Sequence, residues 1–277
     1  MKFAGALAVA ALTAATASAA APPTPSAGDW RAADAENTLV IDTNQGRIIA
    51  ELSPLAAPAH VARIKKLARA HFYDGQTFFR VIDDFMDQTG DPQNSGQGGS
   101  TEPDLKAEFT FRRGPATPFA ALGHVGDADF GFVGALPVQS QTIAMAALMA
   151  DGTVPAFGMF CPGVLGMARA QAEDSANSQF FLMRQEHASL NQNYTAFGRV
   201  VVGLDVVRKI KTGEPVPAPQ DRMLKVQVLA DMPAAARPTV RVIDTAGPYF
   251  TALLRQDMAA KADAASPCDL EVAGEAK

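Results

Sequence analysis

The sequence predicts a mainly β fold with a closed architecture. Many short runs of β-branched and aromatic residues are separated by Gly, Asn, Asp and Pro, which is the composition of strands joined by turns. Only two early helices accompany these many strand-like runs, and this proportion favours a closed all-β fold. The 277 residues, 48% of them hydrophobic, suffice for one sizeable core with additions, or for two small domains.

The N-terminus has the pattern of an export signal. Lys2 gives a positive start, Phe3–Leu12 is an apolar run, and residues 17–19 are a small-residue cleavage site. The run is too short to span a bilayer, and no later stretch is long and apolar enough to do so. We therefore expect residues 1–19 to be removed and residues 20–36 to form a flexible lead-in. The mature protein is expected to be soluble, exported and periplasmic, with no membrane insertion.

The charge balance excludes some classes of partner. Of the 24 Lys and Arg residues only Lys2 lies in the signal, so the mature chain has 23 of them against 29 Asp and Glu, a net charge of −6. This negative charge argues against nucleic acids and anionic membrane surfaces as partners.

The first elements follow from local patterns. Thr38–Thr43 and Arg47–Leu52 are β-branched runs on either side of a turn signal at residues 44–46, so a hairpin is predicted. Pro58–Phe72 is predicted to be a helix, because Pro suits a first helical position and apolar residues recur behind it at three-to-four spacing.

Residues 78–92 (FFRVIDDFMDQTGDP) have the composition of a strand and place Arg80 among bulky apolar neighbours. An arginine there is costly to bury unless its donors are used. On this segment alone, a structural salt bridge and a functional role are both open.

The later patterns are less regular. Gly90–Ser100 is predicted to be a surface loop, because it lacks the Gly-Lys-Ser/Thr ending of a phosphate-binding loop. The remaining predictions, in chain order, are strands at Lys106–Phe111, Gln179–Met183 and Ala196–Val202, a short helix at 204–210, strands at Met223–Leu229 and Thr239–Ile243, and a helix at Pro248–Ala262. Leu254 and its apolar neighbours are expected to dock the last helix.

Four blocks occur in order: FFRVIDDFMDQTGD at Phe78–Asp91, GVLGMA at Gly163–Ala168, SQFF at Ser178–Phe181 and FGRV at Phe197–Val200. Together they resemble the cyclophilin family of peptidyl-prolyl cis-trans isomerases, whose first two blocks read F-H-R-V-I-x-x-F-M-x-Q-x-G-D and G-x-L-S-M-A. Two positions depart from those patterns, with Phe79 in place of His and Gly166 in place of Ser.

The resemblance implies a closed eight-stranded antiparallel barrel capped by two helices, at 58–72 and 204–211. It covers about residues 37–113 and 159–232. The isomerase domain is therefore expected over residues 37–232, with an insertion at 114–158 in which a short helix at 141–150 is plausible. Residues 233–277 would be a C-terminal strand-helix extension packed on the barrel.

The resemblance also implies the site and its chemistry. Rotation about an X-Pro bond needs no nucleophile, metal or cofactor; it needs a site that fits the twisted amide better than either planar form. The implied catalytic residues are Arg80, Phe85 and Gln88. The implied substrate-binding residues are Met86, Ala168, Arg169, Ala170, Gln179, Phe181, Leu190 and Tyr194. Expected partners are proline-containing peptides and unfolded exported proteins; no oligomeric state is predicted.

Three further positions depart from the family pattern. Ser189 stands where the family has a tryptophan beside the pocket, and Tyr194 where it has a histidine. Arg169 replaces the family's asparagine, a variation that is similar to bacterial members. These changes leave the Arg80 mechanism intact.

Two functions stay open on this basis. One is an active isomerase that assists the folding of exported proteins, which the intact Arg80, Phe85 and Gln88 favour. The other is a cyclophilin-like peptide-binding or chaperone module with little turnover, which the large insertion favours because it could cover or extend the groove.

Cys161 and Cys268 are the two cysteines, and export would place them where a disulfide is permitted. Their separation does not suit a metal site. The hypothesis is one disulfide that ties the tail to the base of the insertion; a buried, reduced Cys161 and a mobile Cys268 are the alternative. No metal site is expected from the four histidines, His60, His71, His124 and His187, which show no ligand spacing.

Overall fold

The computed structural model describes residues 23–261 and 266–277. The predicted export signal, residues 1–19, lies outside these residues. Within them, no helix has the length and apolar character needed to cross a membrane.

The described strands and helices are short. The strands, in chain order, are β1 (Trp30–Ala32), β2 (Thr38–Thr43), β3 (Gly46–Leu52), β4 (Arg80–Ile82), β5 (Met86–Thr89), β6 (Phe111–Arg113), β7 (Ala120–Val125), β8 (Ala128–Val133), β9 (Leu136–Gln141), β10 (Val154–Gly158), β11 (Val164–Met167), β12 (Phe180–Met183), β13 (Ala196–Val202), β14 (Met223–Val228), β15 (Val240–Ile243) and β16 (Gly274–Ala276). The α-helices are α1 (Pro58–Arg69), α2 (Leu204–Lys209) and α3 (Pro248–Lys261).

Eight strands form one antiparallel sheet in the order β14-β2-β3-β13-β11-β12-β5-β4. The predicted hairpin is confirmed as β2 and β3, which pair from Thr38 opposite Glu51 to Thr43 opposite Gly46. Helix α1 packs against β14, and α2 packs against β3. The mainly β prediction is therefore confirmed, together with the number of strands in the principal sheet.

The prediction of a closed barrel is wrong. The edge strands β14 and β4 form no ladder with each other in the described chain. Isolated bridges, Thr77 to Arg222 and Val81 to Gly213, span the gap between them. The physical reason lies in the segment between residues 213 and 222, which contains three prolines. Proline has no N–H to donate, so this segment cannot continue a ladder along β4.

Both faces of the β2–β3 hairpin are buried. Leu39, Ile41 and Ile48 belong to the core that α1 covers, whereas Val40 and Ile49 belong to a second cluster on the opposite face. Strands buried on both faces are continuous apolar runs instead of alternating ones. Residues 39–41 and 48–50 are such runs, and the second cluster is filled by the C-terminal extension.

Helix α1 is capped by a distant carboxylate. Its N-cap residue is Ala57, which has no side chain to accept a hydrogen bond. Glu108 takes this role: it accepts hydrogen bonds of 3.1 Å from the amides of both Ala59 and His60 and lies 2.7 Å from Nδ1 of the His60 ring. A negative charge at this end also suits the helix dipole.

The strand predicted at Lys106–Phe111 is wrong, since β6 begins only at Phe111. The preceding amides bond to side chains instead of to a neighbouring strand. Ala107 N donates to Asp174 Oδ1 over 2.8 Å, and Glu108 N donates to Thr195 Oγ1 over 3.1 Å. These bonds hold Glu108 at the N-terminus of α1, and the two amides are no longer available for a strand ladder.

The segment predicted to be an insertion builds a second sheet. Five strands are ordered β6-β10-β9-β8-β7, and a 3-10 helix, Ile143–Leu148, lies within the stretch where a short helix was predicted. The sheet was not predicted, because its strands contain Gly131, Pro137 and Pro155, residue types that are depleted in strands. Its apolar side chains share a cluster with Phe160, Phe181 and Met86, so the second sheet packs on the outer face of the principal sheet.

The C-terminal extension forms a third, small sheet in the order β1-β15-β16. Its strand β1 comes from the stretch predicted to be a flexible lead-in; in the structure Trp30–Ala32 pairs with β15. Phe250 and Leu254 of α3 are buried against Val40 and Ile49 of the hairpin. The extension thus covers the outer face of the β2–β3 hairpin.

Cys161 and Cys268 form a disulfide in the structure, with their Cα atoms 4.8 Å apart. The bond closes a separation of 107 residues and joins the segment before β11 to the end of the chain. Beside it, the buried guanidinium of Arg199 donates to the carbonyl of Leu270 over 3.0 Å. The tail is therefore fixed both covalently and through a buried cation.

We predict that Glu108→Ala lowers the free energy of unfolding by about 1–2 kcal/mol, because it removes the cap of α1 and leaves its first amides unpaired. Urea unfolding of the variant and of wild type measures the change. Glu173→Ala, at an exposed glutamate, is the control. Equal stabilities for the Glu108 and Glu173 variants would contradict the capping role.

A second prediction concerns pH. Burial lowers the pKa of His60, and the hydrogen bond and charge of Glu108 oppose this shift only in part. In the folded protein the pKa of His60 lies below its usual value of about 6.5. As pH falls, the unfolded chain therefore binds more protons at this residue than the folded chain does. The contribution of neutral His60 to the free energy of unfolding is present above about pH 6.5 and is lost as pH falls through the pKa of the folded state. The free energy of unfolding then decreases by no more than about 1.4 kcal/mol per pH unit.

Urea unfolding at about pH 7.5 and 5.5 measures this effect, with His60→Asn as the reference that cancels the other titrating groups. Wild type should lose more stability on acidification than the variant does. An equal loss in the two proteins would show that His60 does not contribute to the pH dependence.

We predict that the protein has no free thiol when it is isolated without reductant. Mass analysis after alkylation gives the thiol count. Replacing both cysteines by serine should lower the free energy of unfolding by about 2–4 kcal/mol, because the open chain gains entropy when it unfolds. Reductant should destabilise wild type but not the double variant. Two alkylated thiols in the native protein would refute the pairing.

Candidate active site

The site is built on three neighbouring strands. In the β4–β5 hairpin Arg80 lies opposite Gln88, and across the next ladder Gln88 lies opposite Phe181 of β12. Successive side chains of a strand alternate between faces, so Met86 and Gln88 share one face of β5 while Asp87 lies on the other. The register thus gathers a guanidinium, an amide and apolar groups on one outer face.

Behind this face, Asp87 fixes the register of β5. Its carboxylate is fully buried and accepts a hydrogen bond of 3.0 Å from Nη1 of Arg184. Burial raises the pKa of Asp87 to about 7, and the charge of Arg184 offsets this only in part. Arg184 also donates to the carbonyls of Arg208 and Ile210, which ties the end of α2 to the same point.

An apolar pocket of about 210 Å³ opens beside Arg80. It is lined by Arg80, Phe85, Met86, Gln88, Ala168, Arg169, Phe181, Leu190 and Tyr194, all of them predicted site residues. Aromatic contacts stiffen its walls: Phe160 stacks behind Phe181 at 5.8 Å between ring centroids, and Tyr194 meets Phe181 edge-on at 6.0 Å. The volume and lining suit a small apolar ring.

A relay of side-chain hydrogen bonds orients the guanidinium. Arg80 Nη1 donates to Gln88 Oε1 over 3.3 Å, and Gln88 Nε2 donates to Gln179 Oε1 over 2.9 Å. Gln179 Nε2 then donates to the carbonyl of Gly98 over 2.8 Å. The amide orientations are consistent along the whole relay, since each acceptor oxygen faces a donor. The relay fixes Arg80 at the rim of the apolar pocket.

A second cavity of about 470 Å³ adjoins the first, and Gln88, Ala168 and Arg169 line both. Its other walls come from the glycine-rich loop at residues 96–100 and from a group of polar and small residues, Asp104, Ala170, Ser175, Asn177 and Gln179. The two cavities together form one continuous groove beside Arg80.

The glycine-rich loop is held by the buried carboxylate of Asp91. It accepts from the amides of Gln93 at 2.8 Å, Ser95 at 2.9 Å and Gly96 at 2.7 Å. Burial alone would raise the pKa of Asp91, but these hydrogen bonds lower it, so the anion is stabilised. The loop wall of the groove is thereby ordered.

The resemblance implied that Ala168, Arg169 and Ala170 bind the substrate. In the structure Ala168 N donates to Gln179 O over 3.0 Å, and Ala170 N donates to Ser175 Oγ over 2.9 Å. These two amides are therefore occupied within the protein. Arg169 extends over the ring of Tyr194, with Cζ 4.7 Å from its centroid, and so forms part of the rim.

All the predicted site residues lie around this groove, and the structure adds others that the sequence did not reveal. Ser189, at the family's tryptophan position, is exposed beside Leu190 and does not line the pocket. His187 packs against Phe85 at 4.5 Å between centroids and bonds to the carbonyl of Asp84. Glu214 forms an ion pair with Arg80. Both contacts join segments far apart in sequence, so no local motif could have indicated them.

The chemistry available here is donation from a permanent cation beside an apolar pocket. Within residues 23–261 and 266–277, no group of three or more His, Cys, Asp or Glu side chains is arranged to hold a metal ion. Arg80 has five N–H groups, of which the relay and Glu214 use two. The others are available to a bound molecule.

Comparison with known proteins identifies the group to which this arrangement belongs. Residues 38–228 match the family model for cyclophilin type peptidyl-prolyl cis-trans isomerases. A probable peptidyl-prolyl cis-trans isomerase of Brucella suis is 36% identical over 216 residues, which cover 72% of this chain and 86% of that protein. Peptidyl-prolyl cis-trans isomerase B of Bacillus subtilis is 30% identical over 164 residues, or 59% of this chain and 82% of the other.

A solved structure shows the same fold over most of the chain. The cyclophilin AquaCyp293 from Hirschia baltica superposes with a TM-score of 0.81 at 30% identity, covering 89% of this chain and 93% of that one. The strand register, the groove and these relatives agree, and the chain belongs to the cyclophilin-type peptidyl-prolyl cis-trans isomerases.

Proposed function

We propose that Arg80 is the group that lowers the barrier to X-Pro rotation in this isomerase. The observation that supports it is the relay that holds its guanidinium at the mouth of the apolar pocket. The planar amide resists rotation by ~18–20 kcal/mol. When the bond twists, conjugation is lost and the proline nitrogen gains a lone pair, so a positioned N–H donor binds the twisted form more tightly than either planar form.

The pocket supplies the second requirement, a fixed ring. Met86, Phe181 and Leu190 are apolar and each at most 8% exposed. A proline ring bound between them exchanges its contact with water for contact with apolar side chains, which is favourable. Phe85 closes the side next to Arg80, with the guanidinium carbon 6.0 Å from its ring centroid. With the ring held, rotation moves the residue that precedes proline.

The third requirement is a hold on the peptide beside the ring. Gln179 and the adjoining rim at Ala168–Ala170 lie along the second cavity, where the substrate backbone would pass. Gln179 has its amide nitrogen engaged with Gly98 and its oxygen with Gln88, so it acts mainly by orienting the relay. We infer that carbonyls and the Arg169 side chain make the remaining contacts.

The proposed substrates are proline-containing segments of unfolded exported proteins, encountered in the periplasm. The export pattern of residues 1–19 supports this location, and so does the disulfide, because disulfides form and persist in oxidising compartments. Cis-trans exchange of prolines is slow enough to limit folding, so a catalyst in that compartment would speed the maturation of such proteins.

The alternative function, a peptide-binding module with little turnover, was favoured by the insertion. Among the described residues, neither cavity of the groove is lined by a residue of 114–158. The second sheet supports Phe181 from behind instead. The arrangement therefore favours turnover over a covered or extended binding groove.

We predict that Arg80→Ala lowers kcat/KM for a short X-Pro peptide by roughly 10²-fold, which corresponds to about 2.7 kcal/mol of barrier. The acceleration of refolding of an exported protein limited by proline isomerisation should fall in parallel. Stability should be nearly unchanged, because Arg80 lies on the outer face. The matched control is Arg241→Ala, since the side chains of Arg80 and Arg241 are both 35% exposed and both pair with a glutamate. Full activity in the Arg80→Ala variant would contradict the proposed mechanism.

A further inference from the structure

The ion pair between Arg80 and Glu214 is built into the fold. Arg80 Nε donates to Glu214 Oε1 on one side of the guanidinium, while Nη1 reaches Gln88 on the other. We propose that Glu214 is a positioning residue that holds Arg80 in its catalytic orientation, an inference that rests on the proposed role of Arg80 as the donor.

Backbone hydrogen bonds place Glu214 beside Arg80. Gly213 and Val81 exchange both of their hydrogen bonds at 2.8 Å, and Val216 N donates to Phe79 O over 2.9 Å. Gly213 and Val216, which flank Glu214 and Pro215, are thus bonded to the two neighbours of Arg80. These bonds hold the segment against β4, and the segment presents the carboxylate directly to the guanidinium.

The segment is also anchored away from Arg80. Lys211 N donates to the buried carboxylate of Asp221 over 2.7 Å, and Val216 is only 3% exposed within the principal core. The carbonyl of Ile210 accepts from Arg184, the partner of Asp87 behind β5. Glu214 therefore sits on a fixed frame, unlike a glutamate on a free loop.

Glu214 therefore affects the orientation of Arg80 and not the stability of the fold. The Glu214 side chain is 57% exposed, and ion pairs at such sites contribute little to the free energy of folding. The arginine side chain, however, has many rotamers, and its bond to Gln88 is long at 3.3 Å. A second acceptor on Nε removes most of that freedom. It leaves three N–H groups, one on Nη1 and two on Nη2, for the substrate.

The test is a double-mutant cycle on the full mature chain, with cis-trans exchange of an X-Pro peptide as the assay. Glu214→Ala should lower kcat about three- to ten-fold with KM little changed, because orientation acts on the twisted amide. Glu214→Gln keeps an acceptor oxygen and should stay within about two-fold of wild type. Glu275→Ala is the control, since it breaks the Arg241 pair in the C-terminal extension.

The cycle separates this inference from the proposed function. In an Arg80→Ala background, Glu214→Ala should cause no further loss, because the residue acts only through Arg80. Wild-type activity of the Glu214→Ala variant, or a Gln variant as poor as the Ala variant, would overturn the inference. So would an equal loss in both backgrounds, which would indicate a merely structural role. Undiminished activity of Arg80→Ala itself would instead refute the proposed function.

Discussion

The site depends on the register of strand β5. Because side chains alternate along a strand, a slip of one residue would turn Met86 and Gln88 inward and bring Asp87 to the surface. The buried pair of Asp87 and Arg184 prevents this, since an unpaired carboxylate in that position would be costly. With the register fixed, Gln88 lies between Arg80 and Phe181, and the polar relay and apolar pocket adjoin.

Around this centre, the additions to the sheet act as support. The second sheet packs its apolar side chains behind Phe160 and Phe181, and the C-terminal extension buries the outer face of the β2–β3 hairpin. The disulfide joins the two additions at the segment next to Phe160. Interiors packed in this way transmit displacement, so a rigid back wall keeps the pocket in shape. The groove stays open to solvent on the side where a peptide would enter.

The sequence predicted those features that are encoded by residues close to one another in the chain. The hairpin, helix α1 and the strands with the site residues follow from short local patterns, and the resemblance placed the side chains that line the groove. Apart from the hypothesised disulfide, contacts between distant segments were not accessible. Arg80 and Glu214 are separated by 134 residues, and Glu108 caps α1 from 49 residues away. The Lys106–Phe111 segment has strand composition, yet its amides bond to Asp174 and Thr195 side chains. The sheet does not close because prolines interrupt the segment that lies beside β4 at its open edge.

The most direct test of this account is equilibrium exchange NMR of a short X-Pro peptide with and without a small amount of the mature protein. Alone, the peptide exchanges between cis and trans over tens of seconds. The account predicts that catalytic amounts of the chain produce cis-trans exchange within about a second or less, with the cis and trans populations unchanged, since a catalyst lowers the barrier for both directions. Exchange at the rate of the free peptide, in the presence of folded protein, would contradict it.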